Sequence, residues 1–244
     1  MSGRRLPFQR ATLAPRRGAS PPPPAFAPAP DAYWSGAGAD FAAALLPTIG
    51  ATSLVSDTIG VTRAATLSPR GGPAFVFDGS QGPGGLHFTL SGILTSPFTI
   101  SFWAKVSIVK SGLFCASPWL PYNDVNFFGK TAGGGLWSVG NSFTANVPNN
   151  PAPLGGWAWV TVRSRSGANQ VILNADIAAA ALVAASSGTP SAVILGATAP
   201  DGGPYGFYPL PLTGALADVA HWGSELSDAD IAAAYAWIQT GPFA

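Results

Sequence analysis

The chain is poor in the side chains on which most site chemistry depends. It has one cysteine, Cys115, among 244 residues, which excludes an internal disulfide framework and a zinc–thiolate cluster. Two histidines, His87 and His221, leave little for a histidine metal site. Charged residues make up 9%, against roughly 25% in an average soluble domain. Of eleven acids only Glu225 is a glutamate, so chemistry built on paired carboxylates would rest on aspartate. The longest apolar run of the body, Ile177–Ala185, is far shorter than the 18 or so residues of a membrane span. The basic start is followed by prolines and Arg16-Arg17 rather than by an apolar stretch, so no export signal is expected, and synthesis and folding in the cytosol are. The positive mean hydropathy, +0.27, comes largely from alanine.

What is abundant is turn chemistry and alternation. Glycine (30) and proline (24) make up over a fifth of the chain, which favours short elements and frequent turns. Charge is unevenly placed. Residues 1–30 hold Arg4, Arg5, Arg10, Arg16 and Arg17 and no acid, a charge of +5; the other 214 residues hold seven bases and eleven acids, a charge of −4. Pro7, Pro15, Pro21, Pro22, Pro23, Pro24, Pro28 and Pro30 exclude helix, and the Pro21–Pro24 run favours polyproline II. Residues 1–32 therefore read as an extended basic arm, and 33–244 as the folded domain. Three readings of the arm stand open: a disordered tail; a docking arm whose arginines meet an acidic groove while Phe8, Leu13 and Phe26 fill pockets; and a nucleic-acid contact. The last is weakest, because stacking aromatics are not interleaved with the arginines.

The body reads as short strands broken by Gly, Pro and Asn. In Phe98–Val106, Phe98, Ile100, Phe102, Ala104 and Val106 alternate with Thr99, Ser101, Trp103 and Lys105, the period of a half-buried strand. Trp157–Arg165 is a second. Shorter candidates are Ala74–Asp78, Leu86–Leu90, Leu113–Ala116, Gln170–Asn174, Ala192–Leu195 and Ala215–Trp222. One helix is signalled near the end. Ser227 is its cap, Asp228 and Asp230 lie in its first turn, and Leu226 with Ile231 forms a staple. Ile231, Ala234, Tyr235 and Ile238 make one buried face, and Gly241-Pro242 stops it. The pattern is that of an all-β, two-sheet antiparallel sandwich with a short C-terminal helix.

Four segments, in order, resemble the concanavalin A-like lectin/glucanase superfamily, in particular its laminin G-like and pentraxin-like jelly rolls. They are Ala74-Phe75-Val76-Phe77-Asp78-Gly79 with Leu86-His87-Phe88; Phe98-Thr99-Ile100-Ser101-Phe102-Trp103; Gly156–Val162 with Val171-Ile172-Leu173-Asn174; and Leu195-Gly196 with Gly214–Val219, Trp222, Leu226-Ser227-Asp228, Ile231 and Tyr235. The resemblance spans about residues 33–239. It implies a jelly roll, a fold that serves lectins, hydrolases, adhesins and structural modules alike. The hydrolase branch places acids at alternate positions of one strand; no strand here does so. Where the family's closing strand often has two consecutive acids, Ala217 precedes Asp218.

The functional expectations follow. Trp119, Tyr122, Asn123, Asp124 and Trp137 in 117–150, with Tyr205 and Tyr208 in 200–212, have the makeup of a glycan- or protein-binding face: rings stack on apolar surface and amides bond hydroxyls. The competing reading is that these aromatics pin long loops or pack at a subunit contact. Trp34, Trp103, Trp157, Trp159, Trp222 and Trp237 are expected in packing. His221 reads as a partly buried structural histidine, His87 as a packing or surface residue, and Cys115 as a small buried apolar group. No catalytic residue and no cofactor are expected; Asp78, Asp124, Asp176, Asp201 and Asp218 offer calcium scattered oxygens rather than a dense acidic loop. The chain is thus expected to be a non-enzymatic structural or interaction protein. The leading version is a phage-type virion component, such as a capsid decoration, head fibre or tail-associated protein, present as a homo-oligomer or in many copies on an assembly. Its arm (Arg4, Arg5, Phe8, Arg10, Leu13, Arg16, Arg17, Phe26) would dock on other virion proteins. The alternative is a carbohydrate-binding lectin or adhesin that meets host-surface glycan, and a glycan hydrolase ranks third.

Overall fold

The structure is a computed structural model that describes residues 28–50, 55–56, 60–79, 86–88, 97–108, 112–117, 125–128, 138–139, 145–146, 155–165, 168–184, 192–198 and 210–240. It is an all-β antiparallel sandwich. One sheet, here sheet A, has eight strands: β1 (Ala32–Trp34), β3 (Val61–Ala64), β4 (Ala74–Asp78), β6 (Phe98–Val106), β11 (Trp157–Arg165), β12 (Ala168–Leu173), β13 (Ala181–Ala184) and β17 (Thr213–Trp222). Their order is β13-β12-β11-β6-β17-β4-β3, with β1 also paired to β17. Sheet B has seven: β2 (Val55–Ser56), β5 (Leu86–Phe88), β7 (Gly112–Ser117), β8 (Val125–Phe128), β9 (Ser138–Val139), β10 (Ala145–Asn146) and β14 (Ala192–Leu195), in the order β10-β9-β8-β7-β14-β5-β2. The short pair β15 (Ala197–Thr198) and β16 (Leu210–Pro211) forms a two-stranded sheet of its own beside β7 of sheet B. A four-residue helix, α1 (Phe41–Ala44), follows β1, and α2 (Asp228–Thr240) ends the described chain.

Sequence alternation places the core. On β6, Phe98, Ile100, Phe102, Ala104 and Val106 face inward with Ala158, Val160 and Val162 of β11, Leu216 and Val219 of β17, and Leu195 of sheet B. This is the apolar layer between the sheets. Gly196 follows Leu195 with φ +81°, and a Cβ there would overlap the Phe77 ring, so this turn requires glycine.

The other face of sheet A departs from expectation. Phe98–Val106 reads as a half-buried strand, yet every residue except Lys105 is buried, Thr99 and Ser101 included. The reason is α2. Its Ile231, Ala234 and Ile238 pack on a second apolar layer of Trp103, Trp159, Ile172, Ala215, Ala217, Ala220 and Trp222. The molecule is therefore three layers deep: sheet B, sheet A and α2. Trp34, Trp103, Trp159 and Trp222 are buried in packing and Trp157 and Trp237 partly so, as expected of them.

The polar residues on that face have assigned partners. Ser101 and Thr161 hydroxyls bond each other across β6 and β11 at 2.8 Å. Thr99 Oγ1 donates to the Ser224 carbonyl and accepts from the Leu226 amide, both at 3.0 Å. Arg163 reaches the Leu226 carbonyl at 2.9 Å and Asp228 at 2.7 Å, and its Nε donates to Gln170 at 2.8 Å. Ser227 and Asp230 cap α2 reciprocally: the Asp230 amide donates to Ser227 Oγ at 3.1 Å, and the Ser227 hydroxyl donates to Asp230 at 2.7 Å.

Candidate functional site

The most unusual chemistry among the described residues lies where β17 changes partner. Residues 213–216 of β17 pair with β4 and residues 219–221 pair with β1, both on the same side of the strand. On its other side, the register with β6 shifts between Ala217 and Ala220, a bulge. Asp218 sits in this joint at φ +50°, a left-handed conformation that aspartate tolerates better than most residues. Its side chain is turned toward β1, where the Tyr33 hydroxyl donates to Oδ1 at 2.5 Å. Arg70, in the turn before β4, places a guanidinium nitrogen 3.9 Å from the same oxygen. The guanidinium lies 5.6 Å from the ring of Trp237 on α2, and Trp237 meets Tyr33 edge-on at 6.1 Å.

Tyr33 and Asp218 are each only 1% exposed. Burial raises the Asp218 carboxyl to about 6, although the Tyr33 hydroxyl and Arg70 both favour its ionised form. Burial, then the Asp218 charge, pushes the Tyr33 hydroxyl far above its ordinary value. Asp218 Oδ2 is buried and makes no hydrogen bond among the described residues. Sealed under α2, the cluster gives a substrate no approach. It joins β1, the turn before β4, β17 and α2. Three residues on, half-buried His221 is held below its ordinary value by desolvation, with Asp31 acting weakly against it. That agrees with the structural role expected of it.

All seven residues expected on a binding face lie outside the described residues. The bounding strands nevertheless show where their segments start and end. Trp119, Tyr122, Asn123 and Asp124 fall between β7 and β8, whose junction is the pair Ala116–Val125. Trp137 falls between β8 and β9, joined at Phe128–Ser138, and Phe128 pairs with Gly112 at the opposite end of β7. Tyr205 and Tyr208 fall between β15 and β16. β14 runs antiparallel to β7, from Ala192 opposite Ser117 to Leu195 opposite Phe114, so β15 follows at the end where Trp137's segment begins. The arm residues Arg4, Arg5, Phe8, Arg10, Leu13, Arg16, Arg17 and Phe26 also lie outside the described residues.

Sheet B can be read from its register. Asn126, Cys115, Ile194, His87 and Val55 stand opposite one another along one cross-strand line of backbone register. Among the calcium candidates, Asp176 caps a short turn by accepting from Ala179, Asp218 is engaged by Tyr33, and Asp124 and Asp201 lie outside the described residues. No group of three or more metal-ligating side chains occurs among the described residues.

In the sequence Asp218 stands as the lone acid of the closing strand, with nothing that ties it to Tyr33 or Arg70. The bulge that brings it to Tyr33 has no signature in side-chain alternation.

No family model and no curated protein sequence matches the chain. Solved structures do match. Trypanosoma rangeli sialidase in complex with sialic acid superposes with a TM-score of 0.58 at 11% identity, over 86% of this chain and 33% of the sialidase. The same enzyme with 2,3-difluorosialic acid gives 0.59 at 10% identity, with the same coverage. Domain 4 of AbnA, a GH43 extracellular arabinanase from Geobacillus stearothermophilus in complex with arabinotriose, gives 0.53 at 16% identity over 84% of this chain and 98% of that domain. The chain therefore spans about a third of the sialidase but nearly all of the arabinanase domain. At these identities the likeness is one of fold, an antiparallel β-sandwich. These findings correct the expectation that the chain is non-enzymatic. Its fold neighbours come from glycan hydrolases, and the shortage of glutamate, on which that expectation rested, does not separate this chain from those folds. The physical reason is that a sandwich holds its loops independently of the chemistry they carry, and aspartates from separate segments can converge. No helix among the described residues is long and apolar enough to cross a membrane.

Proposed function

We propose that the chain is a carbohydrate-binding β-sandwich module. The observation that carries this reading is the end-to-end superposition on the arabinanase domain, whose structure holds arabinotriose. Two features of this chain support it. Both faces of sheet A are filled, one by the sandwich core and one by α2, so a ligand is left with sheet B and the segments between its strands. By sequence those segments hold Trp119, Tyr122, Asn123, Asp124 and Trp137, and Tyr205 and Tyr208 lie between β15 and β16. Aromatic faces and amides are the groups that bind neutral sugars, through ring stacking and hydroxyl hydrogen bonds. The resemblance of the strand motifs to concanavalin A-like lectins points the same way.

The test is calorimetric titration of the whole chain with arabino-oligosaccharides, followed by a glycan array. Binding is expected, with Trp119→Ala and Tyr205→Ala each weakening it about tenfold, the scale of one lost ring contact, at unchanged melting temperature. An array with no hits overturns the reading.

A second reading concerns the arm: that it tethers the module to a larger assembly, such as a phage-type virion. The observation in its favour is the +5 charge of residues 1–30 leading into a root that is fastened to the domain. Trp222 Nε1 donates to the Pro28 carbonyl at 3.1 Å, and the Gly223 amide donates to Asp31 at 2.6 Å. Changing Arg4, Arg5, Arg16 and Arg17 to Ser should release the protein from such an assembly at physiological salt, where exposed charges act over about 8 Å. Unchanged co-sedimentation would remove the reading.

A further inference from the structure

Strand β1 is held in an uncommon way. It has three residues, pairs along its length with β17, and on its other side meets residues 48–49 at the bridge Tyr33–Ile49, where the Thr48 amide also donates to the Tyr33 carbonyl at 2.7 Å. The Asp31 amide bonds the His221 carbonyl at 2.9 Å, and the Tyr33 amide bonds the Ile49 carbonyl at 3.0 Å. To these backbone bonds the strand adds the side-chain bond from Tyr33 to Asp218, at the point where β17 leaves β4 and takes up β1. The acceptor is a buried carboxylate whose second oxygen makes no hydrogen bond among the described residues. Burial makes the carboxylate unfavourable when ionised, outweighing the Tyr33 hydroxyl and the Arg70 guanidinium 3.9 Å away, which both favour ionisation, whereas a neutral carboxyl still accepts from Tyr33 through Oδ1 and carries its proton on Oδ2.

We propose that Asp218 is a proton-operated latch on β1: with Oδ2 protonated the strand is clasped to β17, and with the carboxylate ionised the clasp loosens. Residues 28–31, which lead into β1, have bonds of their own to Trp222 and Gly223, so the latch acts on β1 itself. Opening admits water to Asp218, which returns the carboxyl to an ordinary acidity, so acid favours the closed form.

The surrounding groups keep the assignment simple. From β1 comes Tyr33, and from the turn before β4 comes Arg70, which stays charged throughout. β6 presents Ser101, Phe102 and Trp103 at the bulge, and α2 presents Trp237, none of which titrates in this range; Tyr235 of α2 packs farther along, against Trp103. On β17 itself His221 titrates in the opposite sense, beside Asp31. Loosening caused by His221 on acidification would therefore reduce the effect of Asp218 and not imitate it.

Hydrogen exchange on the full chain reads the latch. Protection of the Asp31 and Tyr33 amides, corrected for intrinsic rates and referred to β6 amides, should rise about tenfold from pH 7.5 to pH 5, the linkage expected when a carboxyl near 6 becomes ordinary on opening. In Asp218→Asn that pH dependence should vanish or reverse in sign, because His221 remains. In Tyr33→Phe, which keeps the ring packing, β1 protection should fall at both pH values. Should Asp218→Asn not fold, the carboxyl carbon resonance of Asp218 in the unmodified protein gives the titration directly. β1 protection that does not change with pH, or changes equally in Asp218→Asn, overturns the proposal, as does an Asp218 resonance that titrates near 4. Glycan binding is not measured here, so failure of the latch leaves the proposed function intact, and the reverse.

Discussion

Asp218 and His221 stand three residues apart on β17, and their titrations act on stability in opposite directions. The folded state raises the Asp218 carboxyl from 3.8 to about 6, so the folded protein binds the proton more readily than the unfolded chain. The stability this contributes is full below about 4 and is lost as pH rises through about 6. His221 is lowered by burial, so its contribution is full above its ordinary value and is lost as pH falls below it. The net curve of the unmodified protein is therefore flattened between pH 4 and 7. Asp218→Asn removes one of the two. The variant should lose melting temperature steadily from pH 7 to pH 5, by several degrees more than the unmodified protein over the same interval. Differential scanning calorimetry in buffers of low ionisation enthalpy checks this; parallel curves would show that Asp218 does not titrate in that window.

At the scale of elements, α2 illustrates how local and tertiary forces divide. Its start was legible: Ser227, Asp228, Asp230, the Leu226–Ile231 staple and the Ile231–Ala234–Ile238 stripe all behave as their spacing implies. Its anchorage was not. Arg163 is 3% exposed although it occupies an alternating strand position that reads as outward. It is buried because the chain entering α2 folds over it and uses its guanidinium to satisfy the Leu226 carbonyl, with Asp228 as a largely exposed ion partner. Arg163→Met keeps much of the aliphatic contact but leaves that carbonyl and Gln170 without their donor. We expect a loss of about 2–4 kcal/mol, from two or three hydrogen bonds to a charged group, measured by chemical denaturation. Most of it should appear as a shifted midpoint with an unchanged slope. A loss under about 0.5 kcal/mol would mean that the guanidinium is solvated and that α2 is held by its apolar face alone.

For the whole molecule, the three-layer arrangement makes a clear demand on β6. Phe102 faces the layer between the sheets, and Phe102→Ala should cost about 3–5 kcal/mol. Thr99 reads from alternation as an outward residue, whose replacement would cost little. The structure buries it completely and has it bond both Ser224 and Leu226. Thr99→Ala should then cost about 1–3 kcal/mol, well above a surface change, because the buried Leu226 amide loses its acceptor. Thr99→Val, close in shape, should cost nearly as much; if it costs nothing, packing rather than hydrogen bonding accounts for the site.

The amino-acid sequence by itself determined the strand class, most strand positions in sheet A, the inter-sheet core and the start of α2. Each follows from local periodicity and turn chemistry, which act within a few residues: Phe98–Val106, Ala74–Asp78 and Ala192–Leu195 occur as strands with the bounds their patterns imply. Only the tertiary structure decided that sheet A is covered on both faces, that Arg163 and Thr99 are buried, that β1 exists as a strand, and that Tyr33, Arg70 and Asp218 meet. These contacts join residues as far apart as 33 and 218, and the bulge that aims Asp218 shifts the register of β17 without changing its composition. Alternation shows that a strand has two faces; what comes to lie on each is set by where the rest of the chain folds.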